Sequence, residues 1–175
     1  MSRPSHSYLV ALGGNVPRKP YGPPRKVVAA AMDSLAAERG MNVSARSKIA
    51  YSAPLGPSAR VYANAAVVVE TALEPLEMLD ILQEIEARFG RQRRGRRWQA
   101  RTLDLDIILW SGGIYSHPRL ALPHPAFRTR PFVTGPAAAI ARGWRDPLTG
   151  LTMARLHHRL TARRPRHRGR TRSGP

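Results

Sequence analysis

The chain has 175 residues, 42% of them hydrophobic, with no run near the eighteen apolar residues of a membrane span and no cysteine for a disulfide or thiolate metal site. Its 29 Lys and Arg against 11 Asp and Glu give a formal net charge of +18, the balance of a protein that meets polyanions, whether nucleic acid or nucleotide phosphates. The length suits one domain with a proper core, the N-terminal residues lack the pattern of a signal peptide, and a cytoplasmic enzyme with no membrane partner is expected.

Tyr8-Leu-Val-Ala-Leu12, closed by Gly13, Gly14 and Asn15, reads as a buried strand ending in a turn. A breaker-rich loop over residues 20–24 follows. From Pro24, Val27, Val28, Ala31, Met32 and Leu35 recur at helical spacing, and Gly40 supplies the stop. Residues 42–51 predict a second strand with Val43, Ala45 and Ser47 on one face, 52–57 a loop, and the β-branched stretch 64–70 a third strand. Residues 71–90 carry the best helix signals: Pro75 suits a first turn, Leu76, Leu79, Leu82, Ile85 and Phe89 form a stripe, and Gly90 ends it.

Seven arginines and no acid then stand between residues 88 and 101, which reads as a loop. Residues 102–110 predict a fourth strand, 118–136 an irregular stretch and 136–141 a short helix. The chain ends in a basic tail: residues 159–175 hold seven arginines and no acid among Pro, Gly, Ser and Thr. Such a segment cannot bury an apolar face and is expected to be disordered, leaving residues 1–158 as the domain. The order strand, helix, strand, strand, helix, strand is that of an α+β ferredoxin-like sandwich, a mainly antiparallel four-stranded core sheet with flanking helices on one face.

The chemistry concentrates around Asp104 and Asp106. Two apart on a strand, they point to one face while Leu103, Leu105 and Ile107 point to the other. Like charges side by side are unfavourable unless a cation lies between them, and paired hard oxygens suit magnesium, which takes one or two carboxylates plus substrate phosphates. An adjacent arginine cluster would neutralise the remaining phosphate oxygens, so the set suggests metal-assisted phosphoryl transfer. The same two residues also fit the solvated face of an edge strand paired to Arg101. No Gly-x-x-x-x-Gly-Lys-Ser/Thr loop occurs, which excludes the common NTPase architecture.

Arg97-Trp98, Arg101-Thr-Leu-Asp-Leu-Asp-Ile107 and Leu122-Pro-His-Pro125 resemble the signature of the 6-hydroxymethyl-7,8-dihydropterin pyrophosphokinase family. The agreement extends through Leu9-Val-Ala-Leu-Gly-Gly-Asn15, Tyr62-Ala-Asn-Ala-Ala66, the helix ending in Ile85-Glu86, and Arg130-Pro-Phe132, in collinear order over roughly residues 8–140. The resemblance implies an enzyme that moves the β,γ-pyrophosphoryl group of ATP to the pterin hydroxymethyl oxygen and releases AMP in folate biosynthesis. It implies that Asp104 and Asp106 hold two magnesium ions. Arg91, Arg93, Arg97 and Trp98 match a catalytic loop, and Arg101, Ile107, His124 and Arg130 match ATP-contacting positions. Pro54, Leu55, Tyr62, Asn64 and Phe132 match pterin-contacting positions, where aromatics sandwich a flat heterocycle and an amide reads its lactam edge. Glu86 matches an acidic position, although at a helix C-terminus it also reads as a surface residue. The expected substrates are ATP and hydroxymethyl dihydropterin, and the expected state is a monomer.

Two departures stand out. The family's aromatic-x-Thr-x-Pro-x-Gly segment is here Tyr51-Ser-Ala-Pro-Leu-Gly56, one residue shorter and without the threonine, and Gly14 replaces the usual serine of the first turn. A ferredoxin-like nucleic-acid module is the rival reading. It accounts for the basic tail, but RNA-reading sheets need exposed aromatics on central strands, and these strands are aliphatic. Weak, nonspecific contact between the tail and nucleic acid remains as a secondary expectation.

Overall fold

A computed structural model describes residues 5–53, 61–90 and 102–162. The central strand β1 (His6–Gly14) is buried along both faces, as its unbroken apolar run requires. It pairs antiparallel with β4 (Tyr62–Thr71) on one side and β5 (Asp104–Trp110) on the other. β2 (Met41–Arg46) and β3 (Ala50–Ser52) both pair with β4, giving the order β2-β4-β1-β5 with β3 continuing the β2 edge. The single strand expected over 42–51 is therefore broken. At the break Ser47 replaces a ladder residue: its N–H donates to the Ala66 carbonyl at 2.9 Å, and its Oγ accepts the Ala66 N–H at 2.9 Å.

The first helix, α1 (Pro24–Ala37), buries Val27, Val28, Ala31, Met32 and Leu35, and the chain leaves it through Gly40 at φ +80°. The second, α2 (Pro75–Arg88), starts with Pro75 and with the Glu77 carboxylate accepting the Glu74 N–H at 2.8 Å. Its buried stripe is Met78, Leu82, Ile85, Glu86 and the following Phe89, so a methionine and a glutamate take places that periodicity had given to leucines. Both helices cover one face of the sheet, meeting Tyr8, Val10, Leu12, Val67, Leu105 and their neighbours.

The opposite face is covered too, which corrects the expectation of helices on one face. There Leu9, Ala11, Ala66 and Ile108 pack under α3 (Pro131–Ile140) and α4 (Met153–Thr161). α3 begins at Pro131, not at Pro136. Pro131 occupies the first-turn position, where a missing N–H costs nothing, while Pro136 lies inside the helix. α4 was not anticipated. Thr152 caps it by accepting the Arg155 N–H at 3.3 Å, and it runs past the boundary drawn at residue 158; residues 163–175 lie outside the described set. Within the stretch 118–136 the chain also forms β7 (Leu120–Leu122), paired with β6 (Tyr115–His117), and a 3-10 turn at Phe127–Thr129. No described helix is long and apolar enough to cross a membrane.

Candidate active site

Strand register assembles the site. Gly13 of β1 stands opposite Asn64 on β4 and opposite Asp104 on β5; one pleat along, Ala11 stands opposite Ala66 and Asp106. Because side chains alternate, Asn64, Asp104 and Asp106 all rise from the face that α3 covers. Between them the floor is glycine and alanine only. A Cβ added at Gly13 would meet the Asn64 Oδ1 at 3.6 Å, so the space between amide and carboxylates stays open because no side chain fills it.

Over this floor stands the start of α3. Arg130 is its N-cap residue, and Phe132 and Val133 follow in the first turn. Together with Tyr62 they close a small cleft of about 80 Å³ around Gly13, Asn64, Asp104 and Asp106. A much larger cleft, about 1040 Å³, shares Asn64, Arg130 and Phe132 with it and extends between β3 and the outer side of α3. The structure thus brings Tyr62, Asn64, Asp104, Asp106, Arg130 and Phe132 to one place from two strands and the start of a helix.

Asn64 is 5% exposed and its orientation is set locally. Its Nδ2 donates to the Ser52 Oγ at 2.8 Å and to the Tyr62 carbonyl at 3.4 Å, which turns Oδ1 toward the Gly13 side. Ser52, expected in the loop over 52–57, instead ends β3 opposite Tyr62, a pairing that no local sequence signal reports. His124 lies beside the β5 edge, its N–H donating to the Ile108 carbonyl at 3.0 Å. Its Nδ1 accepts the Ala126 N–H at 3.2 Å, so the ring proton sits on Nε2, which is left as a donor.

Two candidates stand differently from expectation. Glu86 is no surface residue: it is 2% exposed beneath the sheet, and its Oε1 accepts the Leu105 N–H at 2.8 Å. It therefore fixes the strand between the two aspartates from the far side. Glu86→Ala should leave that buried N–H without its acceptor and cost roughly 1–3 kcal/mol, read as a lowered melting temperature, whereas an unchanged melt removes the anchoring role. Ile107, 2% exposed, points into the core under α1 and α2, so its side chain does not face the cleft. Pro54, Leu55, Arg91, Arg93, Arg97, Trp98 and Arg101 lie outside the described residues.

Among the described residues no group of three or more His, Asp or Glu side chains gathers as a metal cage. Two carboxylates on one strand face are the donor set, which fits a hard divalent cation whose shell is completed by substrate phosphates and water, and fits a closed structural site poorly.

Comparison with known proteins identifies one family. The model of the family described as 7,8-dihydro-6-hydroxymethylpterin-pyrophosphokinase matches residues 9–142. A 2-amino-4-hydroxy-6-hydroxymethyldihydropteridine pyrophosphokinase of Synechocystis is 38% identical over 151 residues, spanning 86% of this chain and 74% of that one. The enzyme of the same name from Pseudomonas aeruginosa is 39% identical over 139 residues, 79% of this chain and 82% of its own. The crystal structure of Plasmodium falciparum HPPK-DHPS with pteroate superposes with a TM-score of 0.69 at 12% identity, covering 91% of this chain and 43% of that one, a likeness of fold alone.

Proposed function

The chain belongs to the 7,8-dihydro-6-hydroxymethylpterin-pyrophosphokinase family, and from that premise and the cleft under α3 we propose how it acts. It is a pyrophosphokinase of hydroxymethyl dihydropterin in folate biosynthesis. The pterin hydroxymethyl oxygen attacks the β-phosphorus of ATP, the bond from the bridging oxygen to that phosphorus breaks, AMP departs with the bridging oxygen, and the hydroxyl proton is released. The β2-β4-β1-β5 order, with α1 and α2 on one face, supports the ferredoxin-like sandwich as its core.

The observation that carries the site assignment is the row Asn64, Gly13, Asp104 across three adjacent strands, with Arg130 and Phe132 above it. Asn64 presents Oδ1 to the pterin amide edge, and Tyr62 and Phe132 supply flat apolar surface to the ring. Asp104 and Asp106 hold magnesium, two ions in our reading, which supplies charge neutralisation on the phosphate oxygens. Arg130, in the cleft lining, and His124, on its sequence motif, bind further phosphate or nucleotide oxygens in this reading. Arg91, Arg93, Arg97, Trp98 and Arg101 take roles in ATP binding and closure on their sequence motif alone.

None of the described residues is positioned as an evident general base, so orientation and charge neutralisation carry the step. The protein acts as a monomer in the cytoplasm in this reading. Incubation with ATP, magnesium and hydroxymethyl dihydropterin should yield AMP and a pyrophosphorylated pterin, each dependent on all three additions. AMP formed equally without the pterin would leave only an ATP-hydrolysing activity and sink the proposal. Phe132→Ala should raise KM for the pterin about tenfold through lost ring contact while moving KM for ATP less than about twofold; equal effects on both would detach Phe132 from the pterin.

A further inference from the structure

Acidic residues are unevenly placed in this fold. Of the 11, two lie on α1 and its C-cap, five on α2 and its N-cap, and three on β4 and β5. The remaining layer, formed by α3, α4 and the segment between them, holds one, Asp146, which is fully buried and paired with Arg128. Ion pairs follow the same division. Arg46 with Asp33, Arg88 with Glu38 and Arg119 with Asp80 each engage a carboxylate of the α1–α2 layer.

On the α3–α4 side Arg142, Arg155 and Arg159 are exposed, and that layer offers them no exposed carboxylate. Arg155, His158 and Arg159 stand at i, i+3 and i+4 on one face of α4, and the Arg142 carbonyl accepts the Ala154 N–H at 3.2 Å, which holds Arg142 next to the start of that helix. In sequence, residues 163–175 continue from this helix with six more arginines and no acid.

We propose that the exposed face of α4, with Arg142 beside it, is a docking surface for the phosphate backbone of a double-stranded nucleic acid. A face of one sign with no internal counter-charge attracts a regular polyanion, and binding is driven by counterion release. A lipid surface is the weaker match. An interfacial helix needs an exposed apolar side, and Met153 and Leu156 of α4 are both buried. No exposed Phe, Tyr or Trp side chain lies on the described part of this layer, so contact is chiefly to phosphates, without sequence preference. None of these residues belongs to the catalytic cleft, so this surface stands or falls apart from the pyrophosphokinase assignment.

The test titrates the full chain against fluorescent 24-base-pair RNA and DNA duplexes over a range of salt, beside vesicles of phosphatidylcholine and phosphatidylserine. Three variants are compared: Arg142→Glu with Arg155→Glu and Arg159→Glu; the same positions changed to Gln, a milder form should the first fold poorly; and Arg25→Glu with Lys26→Glu and Arg39→Glu, an equal charge change on the α1 side. The first two should weaken duplex binding at least tenfold at about 0.1 M salt and flatten the log K against log salt slope by roughly two to three units, with kcat and KM for ATP unchanged. The α1-side variant should bind within about threefold of the parent. RNA and DNA arms responding alike support backbone recognition; a preference for one that the variants abolish supports the same face reading helix form. Wild-type affinity in the α4 variants, equal loss in the α1-side variant, or tighter binding to vesicles than to either duplex would each overturn the proposal.

Discussion

Asp104→Ala and Asp106→Ala should each lower the rate of AMP formation by roughly a thousandfold, because a metal ligand lost at a phosphoryl-transfer site removes several kcal/mol of transition-state stabilisation and each 1.36 kcal/mol is tenfold. The two carboxylates are the only acidic side chains lining the described cleft, so no neighbour there can take over. Both are partly exposed at the end of β5 and rise from a floor of Gly13 and Ala11, so shortening either leaves the packed core untouched. Melting temperature should therefore stay close to that of the parent while turnover collapses. Raising magnesium should recover little, since a missing ligand changes the geometry of the site as well as its affinity. An unchanged rate at saturating magnesium would remove both residues from metal binding; a collapse of rate together with stability would make them structural.

The catalytic strand could be read from sequence because its chemistry is local. In Leu103 to Ile107 the two-residue alternation fixes which side chains share a face, whatever the strand packs against, and the structure places Asp104 and Asp106 together while Leu105 and Ile107 enter the core. Asn64 and Phe132 were legible only through the resemblance. What makes them a site is register, Asn64 facing Gly13 and Gly13 facing Asp104, and register is a long-range property that no periodicity reports. Glu86 keeps two readings open in sequence, a family acidic position and a surface carboxylate at a helix end; the Leu105 N–H supplies a buried partner that only the tertiary fold reveals, which removes the second. The C-terminal helices were obscured by composition. Pro136 suggests a start where it is in fact interior, and α4, whose buried contacts are only Met153 and Leu156 among basic residues, is too short and too polar to stand out by periodicity.

The largest expected loss of stability is at Asp146, a residue that sequence gave no reason to choose. It is fully buried, yet both carboxylate oxygens are occupied: Arg128 Nε and Nη2 donate at 2.7 Å each, Thr149 Oγ1 at 2.6 Å and the Leu148 N–H at 3.2 Å. These contacts tie the loop after α3 to the 3-10 turn at Phe127–Thr129, and that turn leads directly into Arg130 and Phe132. Burial pushes the Asp146 carboxyl up, but the hydrogen bonds from Arg128, Thr149 and Leu148, with the Arg128 charge, outweigh it and hold the group below its ordinary 3.8. A carboxyl whose folded pKa is depressed stabilises fully above its unfolded value and loses that contribution as pH falls through the folded one. The parent should therefore lose stability on acidification below about pH 4, and Asp146→Ala should show a smaller loss over that window. At neutral pH the variant strands the Arg128 guanidinium. Removing one partner of a buried pair costs about 3–5 kcal/mol, and because Arg128 remains 23% exposed and can turn to water, the lower end applies. About 3 kcal/mol corresponds to a melting temperature lower by about 6–12 °C in a chain of this size. Arg128→Leu combined with Asp146→Leu should be less harmful than the sum of the single changes, since it leaves no unpaired charge. Additive losses, or an Asp146→Ala melt within a degree of the parent, would show that this pair does not hold the turn before Arg130.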